Sequence, residues 1–170
     1  MSTFDPHLEA SGGVNLFTGE FISIQCIDPA LTFAPLSQAN LVMDGSKSFN
    51  IDLEWQLTGP LVPIWLDEPY SNGRSWSVEA YAESVGPGPE IQITAQNVRV
   101  DSVPLSHDMT YKSTLVVSPG TLPEGNPGPG GPSGLYKIVC SCFLNFNLGT
   151  PGYDVSGYME GPIIRIENPL

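Results

Sequence analysis

A chain of 170 residues, 41% of them hydrophobic, is long enough to bury the core of one domain and too apolar to remain disordered. Its 6 lysines and arginines stand against 18 aspartates and glutamates, and a net charge of -12 repels polyanions, which argues against binding nucleic acid or an anionic lipid surface. Gly 18 and Pro 17 make up about a fifth of the chain against a usual ~12%, which suits short strands joined by turns and not long helices.

The carboxylates are scattered, which fits solubility through self-repulsion better than a dedicated site for cations or a basic partner. The start, Met1-Ser2-Thr3-Phe4-Asp5-Pro6-His7, has neither the basic nor the apolar region of a signal peptide, and no run approaches the ~20 apolar residues of a membrane span. The expectation is a soluble chain, cytoplasmic by default, with no membrane insertion. Cys26, Cys140 and Cys142 are odd in number and lack metal-ligand spacing. On one strand, Cys140 and Cys142 would lie ~6.6 Å apart at Cα and point badly for a bridge, so buried free thiols are expected.

In chain order, residues 1–19 read as an arm outside the minimal domain, with the apolar run Gly13-Val14-Asn15-Leu16-Phe17. A single domain is expected over 20–170, beginning with a strand over 20–27 and a short one over 39–43. Asp44-Gly45 is a turn dipeptide that introduces a strand over 47–57. There Phe49, Ile51, Leu53, Trp55 and Leu57 alternate with Ser48, Asn50, Asp52, Glu54 and Gln56, so one set faces a core and the other faces water. A long loop over 58–73 holds Pro60, Pro63, Trp65, Asp67, Glu68 and Tyr70 and ends on the turn signal Asn72-Gly73. The strand over 74–83 puts Trp76, Val78, Ala80 and Ala82 on one face. Over 90–100, Ile91 and Ile93 are followed by Val98 and Val100 in shifted phase, which predicts a bulge or two short strands.

The strand over 109–117 aligns Tyr111, Ser113, Leu115 and Val117. Residues 118–134 are too rich in Pro and Gly to enter a sheet and read as a mobile loop or an ordered polyproline-like excursion. The strand over 136–144 carries Tyr136, Ile138, Cys140, Cys142 and Leu144 inward, and one over 158–166 closes the set.

About seven strands with turn punctuation and no helical periodicity predict an all-β fold, a two-sheet antiparallel sandwich of immunoglobulin-like or jelly-roll-like type. The stretch Ser133-Gly134-Leu135-Tyr136-Lys137-Ile138-Val139-Cys140 resembles the passage from loop to penultimate strand in immunoglobulin-like domains. The resemblance implies that Tyr136 hydrogen-bonds back across the corner, with Trp55 as the core tryptophan. The family's cysteine on an early strand has no counterpart.

Asn50-Ile51-Asp52-Leu53-Glu54 is similar to the Glu-x-Asp-x-Glu strand of the laminarinase and lichenase group of jelly-roll glycoside hydrolases. That similarity implies Asp52 as helper and Glu54 as acid/base, with the carboxyl groups ~5 Å apart that retention requires. Asn50 stands at the nucleophile position and cannot form the glycosyl ester. The polar edge of an amphipathic strand explains the same letters. Ser106-His107-Asp108 has the letters of a triad, but triads are assembled from distant positions. His7 and His107 are the whole histidine complement, too few for a zinc site. Asp67 and Glu68 could join Asp44 or Asp154 around calcium, but no Asp-x-Asp-x-Asp-Gly spacing supports it and solvated loop charge is preferred.

Trp65, Tyr70, Trp76 and Tyr81 are close enough in sequence for an aromatic platform, with Trp76 expected in the core and Trp65 at the sandwich end. The sequence thus predicts a protein that is not an enzyme and carries no metal or cofactor. It would act through its surfaces, as a structural or self-associating subunit or a module for a protein partner. Val14, Leu16, Phe17 and Phe21 are the candidate self-association residues, either adding to a neighbour's sheet in a homo-oligomer or folding back on their own domain. The alternative is carbohydrate binding through Trp65, Tyr70, Tyr81, Asp67 and Glu68. A glycoside hydrolase comes third.

Overall fold

The computed structural model describes residues 3–28, 41–67, 74–88, 90–126, 128–144 and 154–168. Three short strands, β1 (Thr3–Asp5), β2 (Leu8–Ala10) and β4 (Val42–Asp44), accompany seven long ones. The long strands are β3 (Val14–Ile27), β5 (Phe49–Thr58), β6 (Ser75–Ser84), β7 (Glu90–Arg99), β8 (Asp108–Val117), β9 (Leu135–Leu144) and β10 (Val155–Glu167). They form a six-stranded sheet, ordered β1-β10-β9-β6-β7 with β4 also on β10, and a four-stranded sheet, β2-β3-β5-β8. The fold is therefore the all-β, two-sheet antiparallel sandwich that the alternation predicts; only the short β4–β10 pairing is parallel.

Strand β5 shows why. Its odd-numbered residues, Phe49 through Leu57, are all buried, and the residues between them are all half-buried on the outer face. Strand β9 does the same with Tyr136, Ile138, Cys140, Cys142 and Leu144. The layers meet at three rings: Trp55 stacks on Tyr111 of β8 at 5.4 Å between centroids, and Trp76 of β6 meets both edge-on, at 5.9 and 5.6 Å. The predicted bulge is present, since Ala80 pairs with Thr94 while Tyr81 pairs with Gln92, leaving Ile93 extra on β7.

Two features differ from the sequence expectation, and for the N-terminal segment one of the two expected arrangements is the one found. Strand β3 starts at Val14, so the arm boundary expected at 19 falls inside a continuous strand. Residues 62–66 of the long loop form a short helix, α1 (Val62–Leu66), which five residues are too few to announce by periodicity. The N-terminal segment folds back on its own domain. There the Phe4 ring fills a slot between Gly19 and Gly157, where an added Cβ would lie 2.5 and 2.4 Å from it, and meets Phe21 at 5.3 Å.

The described part of the Pro/Gly-rich connection is ordered. Leu122 is buried, the Asn126 amide donates to the Pro132 carbonyl at 2.9 Å, and the Tyr136 hydroxyl donates to the Pro123 carbonyl at 2.9 Å. Among the described residues no helix is long and apolar enough to cross a membrane.

Candidate interaction face

The residues singled out in the sequence are not brought to one place. Asp52 and Glu54 do share the outer face of the four-stranded sheet, in a polar groove of about 350 Å³. There Thr114 Oγ1 donates to Asp52 at 2.7 Å, and Lys112 Nζ lies 3.3 Å from Glu54. Both carboxylates are engaged in cross-strand pairs, the ordinary stabilising contacts of an antiparallel sheet. Trp65 lies on α1, half-buried, with its ring 5.3 Å from that of Phe17. Tyr81 is on the outer face of the other sheet, and Trp76 is fully buried, so these three do not form one platform. Asp67 is exposed just after α1; Glu68 and Tyr70 lie outside the described residues. Phe17 and Phe21 belong to the chain's own core, Leu16 is half-buried, and Val14 is exposed.

Polar groups elsewhere are tied into local structure. The Ser106 hydroxyl bonds to the backbone of Asp108 rather than to an imidazole. Asp44 is held by Ser46 and Lys47, which pull its carboxyl down to about 2. His7 bridges Thr18 Oγ1, at 3.0 Å, and Glu9 Oε1, at 2.9 Å. That order of groups can activate a hydroxyl, but here the His7 and Glu9 side chains are 50% and 49% exposed. Water competes for each bond, and the chain serves as a brace between β2 and β3. No group of three or more His, Cys, Asp or Glu among the described residues is placed to hold a metal ion.

The outer face of the six-stranded sheet is different in kind. Across neighbouring strands, Ser77, Phe143, Ser156 and Asp5 form one row, and Glu79, Ser141 and Tyr158 form the next. Phe143 is 39% exposed and Tyr158 52%. Together with Phe4, Asp5, Ser141 and Gly157 they border a groove of about 390 Å³ whose floor is made of small residues. Two further rows carry Tyr81, Val139 and Glu160, then Glu90, Glu83, Lys137 and Ile163.

Electrostatically this face has a surplus of carboxylates. Lys137 is shared between Glu160, at 2.9 Å, and Glu83, at 3.2 Å. Arg99 is bound to Asp101 and Arg165 to Glu167, at 2.7 and 2.8 Å. Among the described residues Asp5, Glu79 and Glu90 have no cation within ion-pair reach. Glu79 instead accepts bonds from the Tyr81 and Ser77 hydroxyls, and the bond from Tyr81 pushes that phenol up from its ordinary range. Glu90 stands directly opposite Glu83, a like-charge pairing that weakens a sheet.

Sequence reasoning missed Phe143 and Tyr158. The available signal was an aromatic at an outward position of an otherwise clear alternation, between the inward Cys142 and Leu144 in the first case. No protein-family model matches the chain, and no curated protein matches it.

Proposed function

We propose that the chain is a non-catalytic binding module that holds a basic segment of a protein partner on the outer face of its six-stranded sheet. The observation that carries this reading is that two exposed rings, Phe143 and Tyr158, diagonal across the β9–β10 register, border one groove lined by small residues, with Asp5 and Glu79 in the same rows. Exposed aromatic surface supplies contact energy, and unneutralised acids select a partner of opposite sign. A non-catalytic role is supported by the local use already made of Asp52, Glu54 and Ser106. An immunoglobulin-like reading of the sandwich draws support from the Tyr136 to Pro123 bond. Carbohydrate recognition is a second reading, supported by the same rings standing above serine hydroxyls.

Labelled Lys/Arg-rich peptides, matched neutral peptides and a glycan array provide the test. Basic peptides bind the wild type more tightly than neutral ones in fluorescence anisotropy. Tyr158→Ala weakens them about tenfold or more, the loss of about 1.4 kcal/mol of contact. Glu54→Gln on the opposite sheet leaves binding unchanged. Basic-peptide binding equally indifferent to Tyr158→Ala, Phe143→Ser and Glu79→Gln would be nonspecific attraction to an acidic protein and would refute the reading. Glycan binding lost in Tyr158→Ala would install the carbohydrate reading in its place.

A further inference from the structure

Three of the four lateral edges of the sandwich are protected. The β10 edge is covered by β1 and β4, the β3 edge is covered by β2 along residues 14–17 and bulged at Ile22 beyond it, and β7 is bulged at Ile93. Short covering strands and bulges are the usual means of stopping a sheet edge from pairing with another chain. The fourth edge, β8, has no such device. It runs ten residues, Asp-Met-Thr-Tyr-Lys-Ser-Thr-Leu-Val-Val, without proline, glycine or bulge, and pairs with β5 in uninterrupted register along its whole length. Among the described residues no strand pairs with its other side, and residues 109–117 make no further backbone hydrogen bond.

Two side-chain observations say what completes this edge. Ser113, at its middle, is only 7% exposed, and its hydroxyl has no hydrogen-bond partner among the described residues. A buried hydroxyl without a partner is costly and is rarely left so. On the outer face, Lys112 and Thr114 flank that position, Lys112 beside Glu54 and Thr114 bonded to Asp52. Cation and carboxylate are thus offset by two residues about Ser113.

We infer that β8 is a self-association edge, pairing antiparallel with β8 of a second copy about a two-fold axis at Ser113. In that register each Ser113 faces its equivalent with Cβ atoms roughly 4.5–5.5 Å apart, the spacing at which cross-strand hydroxyls hydrogen-bond. Each Lys112 faces Thr114 of the other copy and brings its ammonium to the Asp52 carboxylate held there. Thr110 covers Val116, which is 57% exposed in the single chain. The two four-stranded sheets become one continuous sheet, and a two-fold interface satisfies both copies with a single patch. This edge belongs to the four-stranded sheet, so it stands or falls independently of the proposed partner face.

Sedimentation of the full chain over a concentration series reaching roughly 1 mM reads the dimer directly. The expected result is a reversible dimer that Lys112→Glu weakens at least tenfold, since the substitution sets an acid against Asp52. Lys112 is 73% exposed, and although the substitution also sets an acid opposite Glu54, such an exposed pair is worth little, so that variant keeps its fold, as its circular-dichroism spectrum and urea midpoint check. In a second arm, Ser113→Cys under mild oxidation yields a disulfide-linked dimer that wild type does not, its own cysteines all being buried. A wild type that stays monomeric throughout overturns the inference. So does a dimer that tolerates Lys112→Glu and gives no cross-link at residue 113.

Discussion

Tyr111 ties the two sheets and the turn after β7 together. Its ring stacks on Trp55 and meets Trp76, and its hydroxyl donates to the Val100 carbonyl at 3.1 Å in the 3-10 turn after β7. Burial pushes the phenol up to about 12, and burial likewise raises the Cys26 thiol to about 12 and those of Cys140 and Cys142 upward. In all four the fold holds the neutral form, so the folded state keeps protons that the unfolded chain releases at its ordinary thiol and phenol values. The resulting stability is fully present below about pH 8.5 and is lost as pH rises toward 12. Urea midpoints measured from pH 7 to 11 are therefore flat at first and then fall steadily. Tyr111→Phe keeps the ring packing and removes one bond, costing about 1 kcal/mol at pH 7 and softening the alkaline decline. A midpoint that held constant to pH 11 would mean these groups reach water in the folded chain.

At the scale of elements, what could be read from sequence divides by the origin of each element. Strands β5, β6, β8 and β9 announce themselves because both faces have a fixed destination, core or water, over ten residues. The bulge in β7 was legible for the same reason, as a slip in phase. Strands β1 and β2 have three residues each and exist because a longer strand offers them an edge, which no local pattern encodes. Of the short strand expected over 39–43, residues 39 and 40 lie outside the described residues, and Val42 and Met43 fall in β4. The early start of β3 was hidden because Val14 to Gly19 lie along the edge, where inside and outside are poorly separated. The candidate face was harder still, since Phe143 and Tyr158 are adjacent only through the β9–β10 register. The folded-back N-terminus makes its own prediction. Phe4→Ala empties the slot between Gly19 and Gly157 and frees β1, costing about 1–2 kcal/mol for a part-buried ring. Hydrogen exchange of Tyr158 and its neighbours on the β10 edge accelerates while that of β5 does not. Equal acceleration in both strands would show that the N-terminus is integral to the core and not a docked segment.

For the whole molecule the governing quantity is a net charge of -12. Among the described residues Lys47, Arg99, Lys112, Lys137 and Arg165 sit in surface ion pairs with carboxylates. Exposed pairs of this kind contribute only ~0–1 kcal/mol each, and the remaining carboxylates repel one another across the surface. Salt acts on both terms, but repulsion among many like charges extends further than contact pairs and is the first to be screened as the Debye length falls from ~30 Å at 0.01 M to ~10 Å at 0.1 M. Raising sodium chloride over that range should therefore raise the melting temperature by a few degrees, in spite of the weakened ion pairs. The proposed attraction of a basic peptide to the outer face of the six-stranded sheet has the opposite dependence, since the same ions screen it. The two measurements, made on one sample, separate charge that burdens the fold from charge that serves contact. A melting temperature that fell with salt would show the ion pairs to be worth more than the repulsion. The carboxylates beside Phe143 and Tyr158 would then be neutralised parts of the scaffold, with no surplus to offer a partner.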